Sequence, residues 1–199
     1  MERAELTHAR VFNDEQQAEK YAKGHKAMAE KFGREYANKL SERGFLGGKI
    51  IDVGCGFGST GLMLAKHFVE SEVIGIDLSE PLLHMANQSA AAEGLAERVR
   101  FEKADAQQIP YEDDTFDVVI NANMVHLVED PRKMLNEIER VLVPGGHLFI
   151  ADLRRSWLGL IEREIRAALS LDDAKELFAG SRLRAGTFSS GLLWWRFEA

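Results

Sequence analysis

The stretch Lys49–Leu62, KIIDVGCGFGSTGL, constrains this chain more than any other. An apolar run of Ile50, Ile51 and Val53 is interrupted by one carboxylate, Asp52. Three glycines follow at alternate positions, Gly54, Gly56 and Gly58, and then a helix-forming stretch from Ser59 to Phe68. This pattern predicts a buried strand, a tight glycine turn, and a helix whose N-terminus faces the turn. Glycine lets a backbone approach a ligand closely and take positive φ cheaply. The first helical turn presents N–H groups that have no intrahelical partner. A carboxylate at the strand's end adds an acceptor for hydroxyls or a cation. The stretch reads as the floor of a small-molecule cofactor site; the plain alternative is an ordinary strand-to-helix turn.

The rest of the chain repeats this alternation. Before it, Ala18, Tyr21, His25, Met28, Phe32, Tyr36 and Leu40 recur at three- and four-residue spacing, which predicts helix from Asn13 to about Arg43. Asn13 or Asp14 can cap it, and Gly24 and Gly33 leave one helix or two open. After it, Glu72–Leu78 (EVIGIDL) reads as a second buried strand. Ser79 then caps a helix that stops near Gly94. Val99–Ala104 is a third strand and Phe116–Ala122 a fourth. Asp130–Pro131 opens a helix ended by Pro144–Gly145–Gly146, and His147–Leu153 is a fifth strand. Trp157–Leu169 and a segment capped by Asp172 or Asp173 and ended by Gly180 read as helices. Arg182–Ser189 and Leu192–Glu198, separated by Ser190–Gly191, read as a hairpin. Strands rich in Ile and Val, alternating with helices, predict an α/β fold: a parallel sheet covered on both faces and ending in an antiparallel hairpin.

Length and composition fit one soluble domain. The 199 residues carry 45% hydrophobic and 29% charged side chains, and a formal net charge of −7. The acidic balance and the lack of a Lys/Arg cluster argue against a nucleic-acid partner. Cys55 is the single cysteine, so no intrachain disulfide can form. The charged opening MERAELTHARVF is not a secretory signal, and no run approaches a membrane span. A cytoplasmic location is the default expectation. The six histidines show no ligand spacing with Cys or carboxylates, so no metal site is expected.

Ligands of open α/β sheets bind beyond the carboxyl ends of the strands. Asp52, Asp77 and Asp105 close strands one, two and three, so three successive strands deliver one carboxylate each to the same rim. At Asp77 a carboxylate suits a ribose diol, because it accepts two O–H hydrogen bonds. Asp105 can accept the amino group of adenine, with the Ala106 N–H meeting a ring nitrogen. Two adenosine cofactors fit this outline. Gly56–Gly61 matches G-x-G-x-x-G, and Asp77 lies about 20 residues on, where the dinucleotide fingerprint expects an acid. Against an NAD-type cofactor, a pyrophosphate beside Asp52 meets like charge, and neither Asp105 nor the closing hairpin is explained.

Taken together, the motifs resemble those of the class I S-adenosylmethionine-dependent methyltransferases, in the small-molecule branch that includes ubiquinone/menaquinone-biosynthesis enzymes. The matching stretches run in family order: IIDVGCGFG (50–58), VIGIDLS (73–79), KADAQQIPYEDDTFDVVI (103–120) and MVHLVEDPRKMLNEIERVLVPGGHLFIAD (124–152). The resemblance implies a Rossmann-like methyltransferase fold, a seven-stranded sheet in the order 3-2-1-4-5-7-6 with strand seven antiparallel. It implies S-adenosyl-L-methionine as cofactor and a small-molecule acceptor. Asp52, Gly54 and Gly56 would line the methionine end, with Cys55 the small residue between them and Gly58 allowing the turn. Asp77 would hold the ribose hydroxyls, Leu78 pack on the adenine, Asp105 and Ala106 meet the adenine edge, and Asn121 lie by the methionine moiety.

Within a single domain, residues 1–46 would form a helical lid or packing segment, 47–153 the cofactor core, and 154–199 the helices and hairpin. Methyl transfer is an in-line displacement, so the chain's main task is positioning. His126, just after strand four, is the best placed general base if the nucleophile arrives protonated. Tyr21 can close over the cofactor, and His25 reads as a packed histidine. Of Trp194 and Trp195, which point to opposite faces of a strand, one belongs in the core and the other is a candidate interface residue, as in a homodimer. Besides a methyltransferase, an NAD-dependent oxidoreductase and a cofactor-binding subunit without its own activity remain open at this point.

Overall fold

The computed structural model describes residues 11–156 and 163–199. Seven strands form one sheet in the order β3-β2-β1-β4-β5-β7-β6, as the resemblance implied. The strands β1 (Lys49–Val53), β2 (Glu72–Asp77), β3 (Val99–Lys103), β4 (Phe116–Ala122) and β5 (Leu142–Leu153) pair in parallel. The final strands β6 (Thr187–Ser190) and β7 (Trp194–Glu198) pair antiparallel, with β7 against β5. Around them lie α1 (Glu15–Glu42), α2 (Ser59–His67), α3 (Glu80–Ala92), α4 (Pro131–Val141), α5 (Arg163–Ala167) and α6 (Leu171–Ala179). Strand β1 lies between β2 and β4, the point where the strand order reverses. The crevice for a ligand opens there.

Strand alternation sorts side chains into two cores. Ile50, Val73, Val118, Ile120 and Phe149 pack with α1, α2 and α3 through Phe32, Tyr36, Leu40, Leu64 and Leu83. Ile51, Val53, Ile74, Ile76, Val119 and Ile150 pack on the other face with Met134, Leu135 and Ile138 of α4 and Phe178 of α6. Trp195 is fully buried in this second core, edge-on to Phe178. Trp194 is half-buried on the opposite face against Phe32 of α1.

The N-terminal stripe forms one helix of 28 residues, capped by Asp14, which accepts from the Gln17 N–H at 2.9 Å. Neither glycine breaks it, and Gly33 is a contact point. A Cβ there would stand 2.7 Å from Met63 Cβ, so its absence lets α1 press onto α2. Lys39 and Arg43 at the far end pair with Glu198 of β7, binding the first helix to the last strand.

Some boundaries differ from expectation. Strand β5 begins at Leu142, not His147. Phe116 pairs with Leu142 and Val118 with His147, so Pro144–Gly145–Gly146 bulges out of the ladder instead of ending the helix. Arg184 donates to the carbonyls of Val143, Leu142 and Gly146, with its Nε 3.0 Å from Glu139 Oε1. Arg184 ties residues 182–186 to that bulge, the Arg182 N–H donates to Asn136 Oδ1 at 2.8 Å, and β6 starts only at Thr187. Ser170, not Asp172 or Asp173, caps α6; Asp173 closes the capping box from its third position. Ser79 stands at the head of α3, but its hydroxyl donates to the Phe12 carbonyl at 2.8 Å and not to the helix. Of the helix expected over 157–169, residues 157–162 lie outside the described residues.

Gly75 in the middle of β2 tests this packing. A Cβ added there would stand 2.3 Å from Phe101 Cδ1 and 2.8 Å from Cys55 Cβ. Gly75→Ala should cost about 1–3 kcal/mol by overpacking, read as a lower urea midpoint with an unchanged slope. An unchanged midpoint would contradict this packing of β2 against Phe101.

Candidate functional site

The glycine turn is lashed to the end of β2. Gly54 and Cys55 donate their N–H groups to the Ile76 carbonyl at 2.8 and 3.0 Å. Gly56 donates to Asp77 Oδ2 at 2.9 Å, and the other oxygen, Oδ1, accepts from Ser79 N at 2.9 Å. Gly54 and Gly56 hold φ of 78° and 53°. The two differ in what their missing Cβ leaves. At Gly54 the space is taken by Met124, 2.8 Å away at Sδ; at Gly56 the nearest atom is Leu82 Cδ1 at 3.9 Å, so this turn position opens into the cavity.

That cavity is lined by Gly54, Gly56, Asp77 and Leu78 on the turn side and by Ala122, Asn123, Met124, His126 and Leu127 after β4. Val11, Phe12 and Tyr21 roof it. An adjoining cavity reaches under α1, where Asp52, Cys55, Phe57 and Thr60 meet Tyr21, His25 and Met28. The rings of Phe12, His25 and Phe57 lie 4.8, 4.1 and 6.2 Å from Tyr21.

Of the residues expected from sequence, Asp52, Gly54, Cys55, Gly56, Asp77, Leu78 and His126 line these two spaces. The others stand elsewhere. Gly58 caps α2 at φ 77° and is pressed by Phe101 and Ala86, so it serves packing. Asn121 is fully buried on the α4 side of the sheet, donating to the Val53 carbonyl at 2.8 Å; its neighbours Ala122 and Asn123 reach the cavity instead. Asp105 is exposed and accepts from the Gln107 N–H at 2.8 Å, while Ala106 is buried in the α4-side core. Sequence reasoning missed Phe12, Met124 and Asp152. Asp152 alone carried a signal, an acid closing the apolar run HLFIAD. It accepts from His126 Nδ1 at 2.6 Å and from the His126 main-chain N at 2.8 Å.

The electrostatics are those of a cation site. Asp52 is 3% exposed, and its Oδ2 has no hydrogen-bond partner. Burial pushes its pKa up to about 7, helped by the negative Asp77 and opposed by a hydrogen bond from the Gly61 backbone. Burial also raises Asp77, against the hydrogen bonds from Ser79, Gly56 and Leu78. The Cys55 thiol is pushed up by burial, then by Asp77 and Asp52, and stays neutral.

A sequence profile of the methyltransferase-domain family matches residues 46–182. The chain belongs to that family. Over 104 residues it is 39% identical to the demethylmenaquinone methyltransferase of Thermus thermophilus, a match covering 52% of this chain and 46% of that one. The matched stretch spans less than half the length of the curated relatives. Its fold is that of a SAM-dependent methyltransferase from Aquifex aeolicus, with TM-score 0.74 and 23% identity over 94% of this chain and 98% of that one. The [4+2]-cyclase SpnF is also similar, with TM-score 0.62 and 30% identity over 73% of this chain and 55% of the other.

The methyltransferase cofactor, S-adenosyl-L-methionine, suits this donor set. Its sulfonium and ammonium charges match Asp52, whose buried oxygen lacks a donor, and the open face of Gly56 admits a ligand against the backbone. Asp77 spends one acceptor position per oxygen on the turn and keeps others for hydroxyls.

Asp52 makes the ligand-free protein pH-sensitive. Its folded pKa, about 7, lies above the ordinary 3.8, so between these values the folded state holds a proton that the unfolded chain has released. Its contribution to stability therefore falls as pH rises through that window and is flat above it. Asp52→Asn should remove this fall and raise the urea midpoint at pH 8. Equal midpoints for the two proteins at pH 8 would refute a strained buried carboxylate.

Proposed function

We propose that the protein transfers a methyl group from S-adenosyl-L-methionine to a small-molecule acceptor. One observation carries this reading: the glycine turn is floored by two carboxylates, the buried Asp52 with an unpartnered oxygen and the half-buried Asp77, where a dinucleotide would place its pyrophosphate. The Gly56 N–H, which a phosphate would need, is already given to Asp77. This favours a cationic cofactor over NAD. Bound S-adenosylmethionine supplies an electrophilic methyl group. In this reading Asp52, Gly54, Cys55 and Gly56 flank its methionine end, and Asp77 and Leu78 hold its nucleoside. Asp105 would have to release Gln107 to meet an adenine edge.

The segment before α1 acts as a lid in this proposal. Val11 and Phe12 cross the cavity, and the Ser79 hydroxyl holds the Phe12 carbonyl beside the cofactor turn. The free space beneath is about 60 Å³, against roughly 300 Å³ or more for a typical small-molecule site. The strap must swing out before a cofactor enters.

Isothermal titration should show S-adenosylhomocysteine binding, weakened about 10–100-fold in Asp77→Ala by the loss of charged hydrogen bonds. Binding of NADH with no response to S-adenosylhomocysteine would reject the assignment. For the lid, Ser79→Ala removes one hydrogen bond of about 1 kcal/mol. It should speed S-adenosylhomocysteine release roughly three- to tenfold in stopped flow; an unchanged off-rate would rule out the tie as a latch.

A further inference from the structure

We infer that the Met124 side chain is a gate inside the cofactor site. In the ligand-free protein it closes the passage over Gly54, and the cofactor must turn it aside to reach Asp52 and Asp77 at once. This rests on the methyl-transfer reading above and adds to it a step that the strap of Val11 and Phe12 does not supply.

The site has two chambers. Asp77 and Leu78 line the first, and Asp52, Cys55 and Thr60 line the second. Tyr21, Gly54, Gly56, Ala122 and Asn123 line both, so the two meet at the glycine turn. Each holds about 60 Å³, against roughly 300 Å³ or more for a typical small-molecule site. A cofactor with its ribose on Asp77 and its ammonium by Asp52 therefore fits neither chamber alone. It lies across the neck between them.

Met124 stands at that neck. A Cβ at Gly54 would lie 2.8 Å from Met124 Sδ, 2.9 Å from its Cγ and 3.3 Å from its Cβ, so the side chain is laid along the bare face of the glycine. The backbone that carries it is fixed. The Asn123 N–H donates to the Ala151 carbonyl at 2.7 Å, the Leu127 N–H to the Met124 carbonyl at 2.9 Å, and the His126 N–H to Asp152 Oδ2 at 2.8 Å. Movement therefore falls to the side chain. Methionine suits it, being unbranched with three rotatable bonds, where a β-branched residue would be held at χ1. The neck is also polar-unsatisfied while Met124 covers it. Asn123 Oδ1 and Asp52 Oδ2, both lining the second chamber, are buried without a hydrogen-bond partner, and Asn123 holds a left-handed φ of 60°. The Met124 thioether has no N–H or O–H to offer them. A ligand bearing an ammonium group does, so filling the neck relieves two orphaned oxygens that the gate leaves bare.

Adenosine and S-adenosylhomocysteine separate the gate from the strap. Both must pass the strap, but adenosine lacks the amino-acid end and needs only the Asp77 chamber. In Met124→Ala, S-adenosylhomocysteine should bind about tenfold tighter, because the open conformer is no longer drawn from a minor population of about 10%. Adenosine affinity should stay within about twofold. A ratio of the two affinities that is unchanged, or that moves toward adenosine, overturns the gate. The second arm uses the parent full chain labelled with 13C-methionine. A nuclear Overhauser contact between the Met124 side chain and Gly54 Hα should be present in the free protein and with adenosine, and vanish with S-adenosylhomocysteine. Its survival in the S-adenosylhomocysteine complex overturns the gate, whether or not Met124→Ala folds. Each of these failures leaves methyl transfer standing. A parent protein that binds no S-adenosylhomocysteine would instead remove the reading beneath the inference.

Discussion

The site depends on the Asp77 carboxylate. It holds Gly56 N with one oxygen and Ser79 N with the other, and so joins the glycine turn after β1 to the turn after β2. With the Gly54 and Cys55 N–H groups on the Ile76 carbonyl, the turn becomes an extension of the sheet and not a free loop. Its left-handed glycines are thereby kept in place, and the open face at Gly56 points into the cavity. Ser79 continues the chain of contacts through its hydroxyl to Phe12, so the strap over the cavity is anchored one step from the turn beneath it.

The same arrangement stores an electrostatic cost. Asp52 lies under α1 with one oxygen unpartnered, within the field of Asp77, and its pKa is raised accordingly. A structure selected for stability alone would place an apolar residue there, as it does at Ile50 on the same strand face. The cost is relieved by a cationic ligand, which links the destabilised acid to the family's sulfonium cofactor. On the other side of the sheet, Asp152 is handled differently: three N–H donors satisfy it, and its charge is directed at one imidazole.

Much of this was legible in the chain. The alternation of buried strands and helices, the glycine turn and the closing hairpin all follow from local pattern, and the motif order implied the sheet order found. The early start of β5 has an identifiable cause. Pro144–Gly145–Gly146 reads as a helix stop, yet the segment bulges within β5 because Arg184, about forty residues away in sequence, meets its carbonyls. For site residues, strand parity decided what local pattern did not. Asp52 and Asp77 fall on the α1–α2 face, while Asn121 falls on the α4 face and bonds Val53, leaving Asn123 at φ 60° to reach the cavity. Asp152 ends an apolar run much as Asp52 and Asp77 do, but its partner His126 is 26 residues away.

By itself the sequence determined the fold class, the cofactor turn and its acids, because each is written in residues adjacent along the chain. Only the tertiary structure decided that Phe12 roofs the cavity, that Met124 fills the space at Gly54, and that Asp152 grips His126. Those contacts join the N-terminal strap to α3, the loop after β4 to the turn after β1, and that loop to the end of β5. No periodicity or spacing encodes a contact between segments that meet only when the sheet has closed.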